Sequence, residues 1–190
     1  MSTRLFSFIG GDTGLWRVVE MKAIVGDLLP VVSHIAITSG TSGSEIALDP
    51  KETWVLRGIT SNERYVDRDE KTKIVAKLLD LGQPDATCAV LISIRKSAVW
   101  WALTQDERLR IFKDQSKHTQ IGLQYFPELA RRLHHCRDLS EHEPFDFLTW
   151  FEYAPTDGAR FNKLLAALRA TEEWKYVERE VEIRLVREES

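Results

Sequence analysis

Thr87-Cys-Ala-Val-Leu-Ile-Ser-Ile-Arg95 is the stretch on which the fold turns. Its aliphatic residues run with little polar interruption, which predicts a buried strand. Directly off its end, Ile94-Arg-Lys-Ser-Ala-Val-Trp-Trp101 sets cations beside two indoles. On composition alone, this is a strand exit whose tryptophans join the core. Downstream, Thr104-Gln-Asp-Glu107 has capping-box spacing, with Thr104 as N-cap and Glu107 at the third helical position. It predicts a helix to about Gln115. A second helical region is predicted from Lys117 to Leu133, interrupted near Pro127. Phe145–Tyr153 reads as a strand. Pro155–Ala170 reads as a helix, with Phe161, Leu164, Leu165 and Leu168 on one face. Trp174–Val186 alternates polar and apolar with one slip, which predicts a half-buried strand bulged near Arg179.

Upstream the signals are looser. Residues 3–9 and 15–20 read as strands around a Gly10-Gly11-Asp12 turn. Lys22–Val32 reads as a helix, Val31–Thr38 as partly extended, 39–51 as a loop and Glu52–Thr60 as a strand. Asn62–Leu81 reads as a charged amphipathic helix stopping at Gly82, with Pro84 beyond. The class is α+β, and two ferredoxin-like halves sharing a sheet, 1–84 and 85–190, fit this order.

Bulk properties narrow the chemistry. The chain has 190 residues, 43% hydrophobic and 29% charged, with net charge −3. The balance is globular and lacks the basic footprint of a nucleic-acid binder. Cys88 and Cys136 stand far apart with no Cys-x-x-Cys, so two reduced thiols are expected. The first residues do not read as a signal peptide, and no run of about 18 apolar residues predicts a membrane span. A cytoplasmic protein is the expectation. None of His34, His118, His134, His135 and His142 has His-Glu-x-x-His spacing. Gly-x-Ser-x-Gly, a phosphate-binding Gly-rich loop and a dinucleotide fingerprint are also lacking. Six tryptophans suit either an ordinary core or a pocket for a flat cofactor.

An ordered set of motifs says more. It comprises Ile94-Arg-Lys-Ser-Ala-Val-Trp-Trp101, Lys117-His118, Tyr125-Phe-Pro-Glu-Leu-Ala-Arg131 and Leu133-His-His-Cys-Arg-Asp138. Phe145-Asp-Phe-Leu-Thr-Trp-Phe-Glu-Tyr153, Ala170-Thr-Glu-Glu-Trp174 and Tyr176-Val-Glu-Arg-Glu180 follow in order. Gly10-Gly-Asp, Leu56-Arg-Gly58 and Arg64-Tyr65-Val-Asp-Arg68 extend the set upstream. On these residues the chain resembles the chlorite dismutase family, in its short dimeric branch.

The resemblance implies ferredoxin-like halves forming a dimeric α+β barrel. The truncated first half would supply a dimer surface and part of the cofactor edge, and the second would hold one ferric haem b. His118 falls at the family's axial ligand to iron and Arg131 at its arginine on the opposite face. Glu173 falls at the glutamate that bonds the ligand histidine, with Glu172 and Glu152 as alternatives. Lys96 and Trp100 fall at cofactor-contacting positions, and Arg64 and Tyr65 at propionate contacts. The implied reaction converts chlorite to chloride and dioxygen through a high-valent iron state and a hypochlorite-level species. Alternatives on the same fold are a coproheme decarboxylase, against which Arg131 argues, and a non-catalytic haem-binding or sensing dimer. The implied partners are a small anionic substrate and a second copy of the chain, in a homodimer.

These roles have a physical rationale. A carboxylate on one imidazole nitrogen raises the basicity of the other toward a metal. Arginine stays charged and offers a planar donor fork to oxyanions. A continuous helix would hold His118 and Arg131 about 20 Å apart along its axis, so the break near Pro127 is needed. Phe126, Phe145 and Leu148 are candidates for an apolar wall near Arg131. Leu78 falls where related chains can carry a glutamine restraining the arginine, which predicts freer motion of Arg131. The plainer readings are Arg131 paired with Glu128 on a helix surface and Glu173 as a solvated turn residue.

Overall fold

A computed structural model describes residues 4–40, 51–60, 68, 72, 79–125 and 129–188. Eight strands close into one antiparallel barrel within the single chain. They are β1 (Leu5–Gly11), β2 (Trp16–Val25), β3 (His34–Ser39), β4 (Glu52–Ile59), β5 (Cys88–Lys96), β6 (Ala130–His135), β7 (Phe147–Tyr153) and β8 (Val177–Arg187). Around the barrel they run β1-β3-β2-β8-β5-β7-β6-β4. Two ladders join the halves: a long one from β2 to β8, and a single pair, Ile59 with His135, between β4 and β6.

Side chains alternate across each strand, so every strand has a barrel face and an outer face. The barrel face packs Phe8, Trp16, Trp54, Leu91, Trp150 and Ile183 into one core. The indole of Trp150 lies 5.1 Å from that of Trp16 and 5.8 Å from the ring of Phe8. The outer face of the second half is covered as well. Helix α4 (Gly158–Arg169) lays Phe161, Leu164, Leu165 and Leu168 over Val90, Ile92 and Phe151. That double burial is why Thr87–Arg95 reads as a nearly continuous apolar run. Helices α1 (Ala98–Ala102), α2 (Gln105–Leu109) and α3 (His118–Leu123) complete the layer, with a π-helical turn at Arg110–Gln115. The Thr104–Glu107 capping box opens α2 as expected. No helix among the described residues is long and apolar enough to cross a membrane.

Several expectations change. Lys22–Val32 is not a helix: β2 runs on to Val25 and ends at Gly26, whose φ is 71°. Register shifts between Val18 and Glu20 and between Ala23 and Val25 scramble the two-residue period there. Gly10 and Gly11 are no turn but lie in β1, which pairs with β3 and β4 rather than β2. The Trp54 indole occupies the space a Cβ on Gly10 would fill. Residues 130–135 form strand β6 rather than helix: His134 packs on Phe6 and Phe8 in the barrel while Arg131, Leu133 and His135 face outward to the cavity. Helix-favouring alanine and leucine yield there to the ladder with β7. Strand β8 is covered on both faces, since Glu180 and Glu182 are buried against Arg169 of α4.

The bulge expected near Arg179 is present: Arg95 pairs with Arg179 and Lys96 with Val177, leaving Glu178 unopposed. Most of Asn62–Leu81 lies outside the described residues. Leu79 bridges to Ala130, so that helix does not extend to Leu81.

Candidate active site

Between the outer face of the second half's sheet and its helices lies a cavity of about 1180 Å³, its open mouth included. Sheet register builds one wall in rows. Val90, Phe151 and Arg131 stand side by side across β5, β7 and β6; Ile92, Thr149 and Leu133 form the next row; Ile94, Phe147 and His135 the third. Leu164, Leu165 and Leu168 of α4 close one side, and Phe112, His118 and Gly122 another. The lining is mainly apolar, with Lys96, Arg131 and Glu173 as its charged side chains and His118 and His135 as its imidazoles.

Glu173 organises the polar end. It sits on a short 3-10 turn, Glu172–Tyr176, that leads into β8, and only 6% of its surface is exposed. Its Oε2 accepts from His118 Nδ1 at 2.7 Å and its Oε1 from Lys96 Nζ at 2.8 Å. Burial pushes the carboxyl pKa up, but His118 and Lys96 outweigh burial and hold it down at about 2. The group is therefore a carboxylate, and His118 is the donor through Nδ1. In the neutral imidazole that arrangement puts the lone pair on Nε2. The imidazole also stacks on Phe112, with centroids 4.4 Å apart and planes at 19°.

The backbone explains how His118 arrives there. The π-helical turn ends at Ser116, whose N–H reaches back to the Ile111 carbonyl. Lys117 then takes φ 51° and ψ 34°, the one positive φ outside glycine among the described residues. That left-handed step costs roughly 1–2 kcal/mol. It starts α3 afresh with His118 at its first position.

Lys96 is aimed by the register break at the end of β5. There the Asp146 carboxylate accepts from the Lys96 backbone N–H at 2.7 Å and from Trp101 Nε1 at 3.2 Å. The ammonium lies 4.7 Å from the Trp100 ring and 5.6 Å from that of Trp174.

The structure thus brings together five of the seven residues singled out from sequence: Lys96, Trp100, His118, Arg131 and Glu173 all line this cavity. Arg64 and Tyr65 lie outside the described residues, as do Phe126, Glu128 and Leu78. Glu172 and Glu152 do not bond His118. Glu172 is paired with Lys175 on the surface, and Glu152 accepts from Trp150 Nε1 and the Gly82 N–H. Glu173 is no solvated turn residue. Phe145 and Leu148 belong to the barrel core rather than the cavity wall. Asp146, Ser116 and Phe112 went unnoticed in sequence. They act through hydrogen bonds made across 45 residues or more, or through ring stacking between the π-helical turn and α3.

Comparison with known proteins decides the family. The chlorite dismutase family model matches residues 40–188. The chain belongs to the chlorite dismutase family. It is 32% identical over 128 residues to chlorite dismutase of Ideonella dechloratans, an alignment covering 64% of this chain and 40% of that protein. The chain therefore spans well under half the length of that curated chlorite dismutase. The crystal structure of a dimeric chlorite dismutase from Nitrobacter winogradskyi superposes with TM-score 0.86 at 49% identity, covering 96% of this chain and 99% of that one. The imidazole complex of chlorite dismutase from Candidatus Nitrospira defluvii shares the fold at 16% identity, with TM-score 0.65 over 97% and 92% of the two chains.

Proposed function

We propose that the cavity holds one ferric haem b and that the protein converts chlorite to chloride and dioxygen. One observation carries this reading: an imidazole backed by a buried carboxylate and an arginine reach the same apolar cavity from different layers. His118 comes from the helices and Arg131 from the sheet.

The residues fit the group. The cavity lies between an apolar sheet wall and apolar helix side chains, with a few polar groups at one end, the kind of lining expected of a cofactor site. Among the described residues no three His, Cys, Asp or Glu side chains gather into a metal cage. One imidazole suits an iron whose other ligands come from a macrocycle. His118 Nε2 would bind the iron, Glu173 would raise its basicity, and Lys96 and Trp100 would border the group. Arg64 and Tyr65 would contact the propionates. Bound there, the haem iron would supply the oxygen-atom transfer and O–O bond formation that turn ClO₂⁻ into Cl⁻ and O₂.

The chain's own residues would do the rest. Arg131 would hold the anion by a permanent charge and retain the reactive oxychlorine species until the reaction completes. Phe151, Leu133 and Ile92 would keep bulk water from it. Thr149 is the hydroxyl in the middle row of that wall.

The two halves, 1–84 and 85–190, are read as ferredoxin-like. Support comes from the second half's order of strand, helices, strand, strand, helix, strand, and from its neighbours β8-β5-β7-β6. The first half would supply the dimer surface of a homodimer, in keeping with the Nitrobacter protein. Cys88 and Cys136 are unbridged, which supports a reducing, cytoplasmic setting.

An absorbance spectrum of the purified protein, followed by chlorite addition in an oxygen-electrode chamber, tests the reading. A Soret band and oxygen evolution are expected. A colourless protein indifferent to added haem would overturn it. Conversion of iron coproporphyrin to haem with peroxide, read by product mass, would reassign the reaction.

A further inference from the structure

Ser116 and His118 are two residues apart, and both bond Glu173. The Ser116 hydroxyl oxygen accepts from the Glu173 backbone N–H at 2.9 Å, in a fully enclosed contact, and Ser116 is 3% exposed. His118 Nδ1–H donates to the same residue's side chain. In a regular helix, residues two apart point to nearly opposite sides. Here they converge because Lys117 between them is left-handed. The result is a closed ring. It runs from the Ser116 hydroxyl to the Glu173 amide, along that residue to its carboxylate, across to the imidazole, and back through Lys117.

The remaining groups of Glu173 are also committed. Lys96 Nζ bonds Oε1 at 2.8 Å and approaches the backbone carbonyl at 3.4 Å. The carboxylate can therefore leave His118 only by rotating its own side chain, because its backbone is pinned from the segment that carries the imidazole. A non-glycine residue persists in the left-handed region where its surroundings over-determine it, and such residues cluster at functional sites.

We propose that Ser116 is a positioning residue, which with the left-handed Lys117 clamps Glu173 at a fixed distance from the His118 Nδ1–H. This rests on the haem reading for its consequence, since the strength of that hydrogen bond sets how anionic the imidazole is toward iron. The clamp itself is a property of this chain and can be read without haem.

The experiment compares wild type, Ser116→Ala, Ser116→Thr and Lys117→Gly in two states. In the haem-free protein, the readouts are amide hydrogen exchange at Glu173 and the NMR resonance of the His118 Nδ1 proton. In the haem-loaded protein, they are the iron–histidine stretching frequency and the Fe(III)/Fe(II) potential. Wild type should show a slowly exchanging Glu173 amide and a downfield Nδ1 proton. Ser116→Ala should speed that exchange and move the proton upfield. It should also lower the stretching frequency and raise the potential. Ser116→Thr, which keeps the hydroxyl, and Lys117→Gly, which keeps the left-handed step, should stay with wild type.

A Ser116→Ala protein indistinguishable from wild type in these four readouts overturns the proposal, as does a Ser116→Thr protein that behaves like Ser116→Ala. Should Ser116→Ala not fold, fast exchange of the Glu173 amide in wild type overturns it instead. A wild-type protein that takes up no haem defeats the proposed function, and the haem-free readouts still decide on the clamp.

Discussion

Lys96 donates to Glu173 over 2.8 Å, and both side chains are buried, 3% and 7% exposed. Removing one partner of such a pair leaves the other charge without compensation in a poor dielectric. Lys96→Met should therefore cost about 3 kcal/mol of stability. Urea unfolding at pH 7 measures it, and a loss well under 1 kcal/mol would show that water reaches Glu173.

Arg131 is the cation that the sheet presents to the cavity, and the proposed function gives it the anionic substrate to hold. Arg131→Ala should retain the Soret band but lose roughly 100-fold or more in chlorite turnover, the scale for removing one preorganised electrostatic group. It should also bleach after fewer turnovers as oxychlorine product escapes. Oxygen evolution and haem absorbance followed together give both numbers; unchanged turnover and durability would sink the role.

His134 predicts an acid-side loss of stability. It is 1% exposed in the barrel, its Nδ1–H donates to the Leu148 carbonyl, and its Nε2 has no hydrogen-bond partner among the described residues. Burial lowers its pKa from 6.5 to about 4. The unfolded chain takes up the proton below about pH 6.5 while the folded one resists until about pH 4. Stability is thus fully present above 6.5 and falls between those values, by about 2 kcal/mol at pH 5. His134→Leu should flatten that part of the profile, measured as urea midpoints at pH 7 and pH 5.

Two glycines should respond in opposite directions to alanine. At Gly10 the methyl would meet the Trp54 indole. That ring cannot yield easily, because its Nε1 is tied to the Pro30 carbonyl at 2.9 Å. Gly10→Ala should cost about 1–3 kcal/mol. Gly122 lies in α3, where no described residue comes within 4 Å of the space a Cβ would take. There, alanine should stabilise by up to about 1 kcal/mol. Thermal melts of the two variants check the pair, and equal shifts would contradict the packing around Trp54.

What the sequence by itself determined was local. The apolar run at 87–95, the capping box at Thr104 and the helix face of Phe161, Leu164, Leu165 and Leu168 each follow from side-chain periodicity within a few residues. The slip near Arg179 was legible for the same reason, since one extra residue breaks a two-residue period. His118, Arg131 and Glu173 were found through an ordered set of motifs, not through any spacing that itself spells a site.

Only the tertiary structure decided the rest. Strand β6 beats helical propensity because its ladder partner, β7, lies elsewhere in the chain. Gly10 needs its missing side chain because of Trp54, 44 residues on. Glu173, rather than Glu172 or Glu152, meets His118 because a left-handed Lys117, the Ser116 hydroxyl and the Asp146-bound end of β5 converge on it. Such convergence depends on contacts between distant segments, and local residue patterns do not encode it.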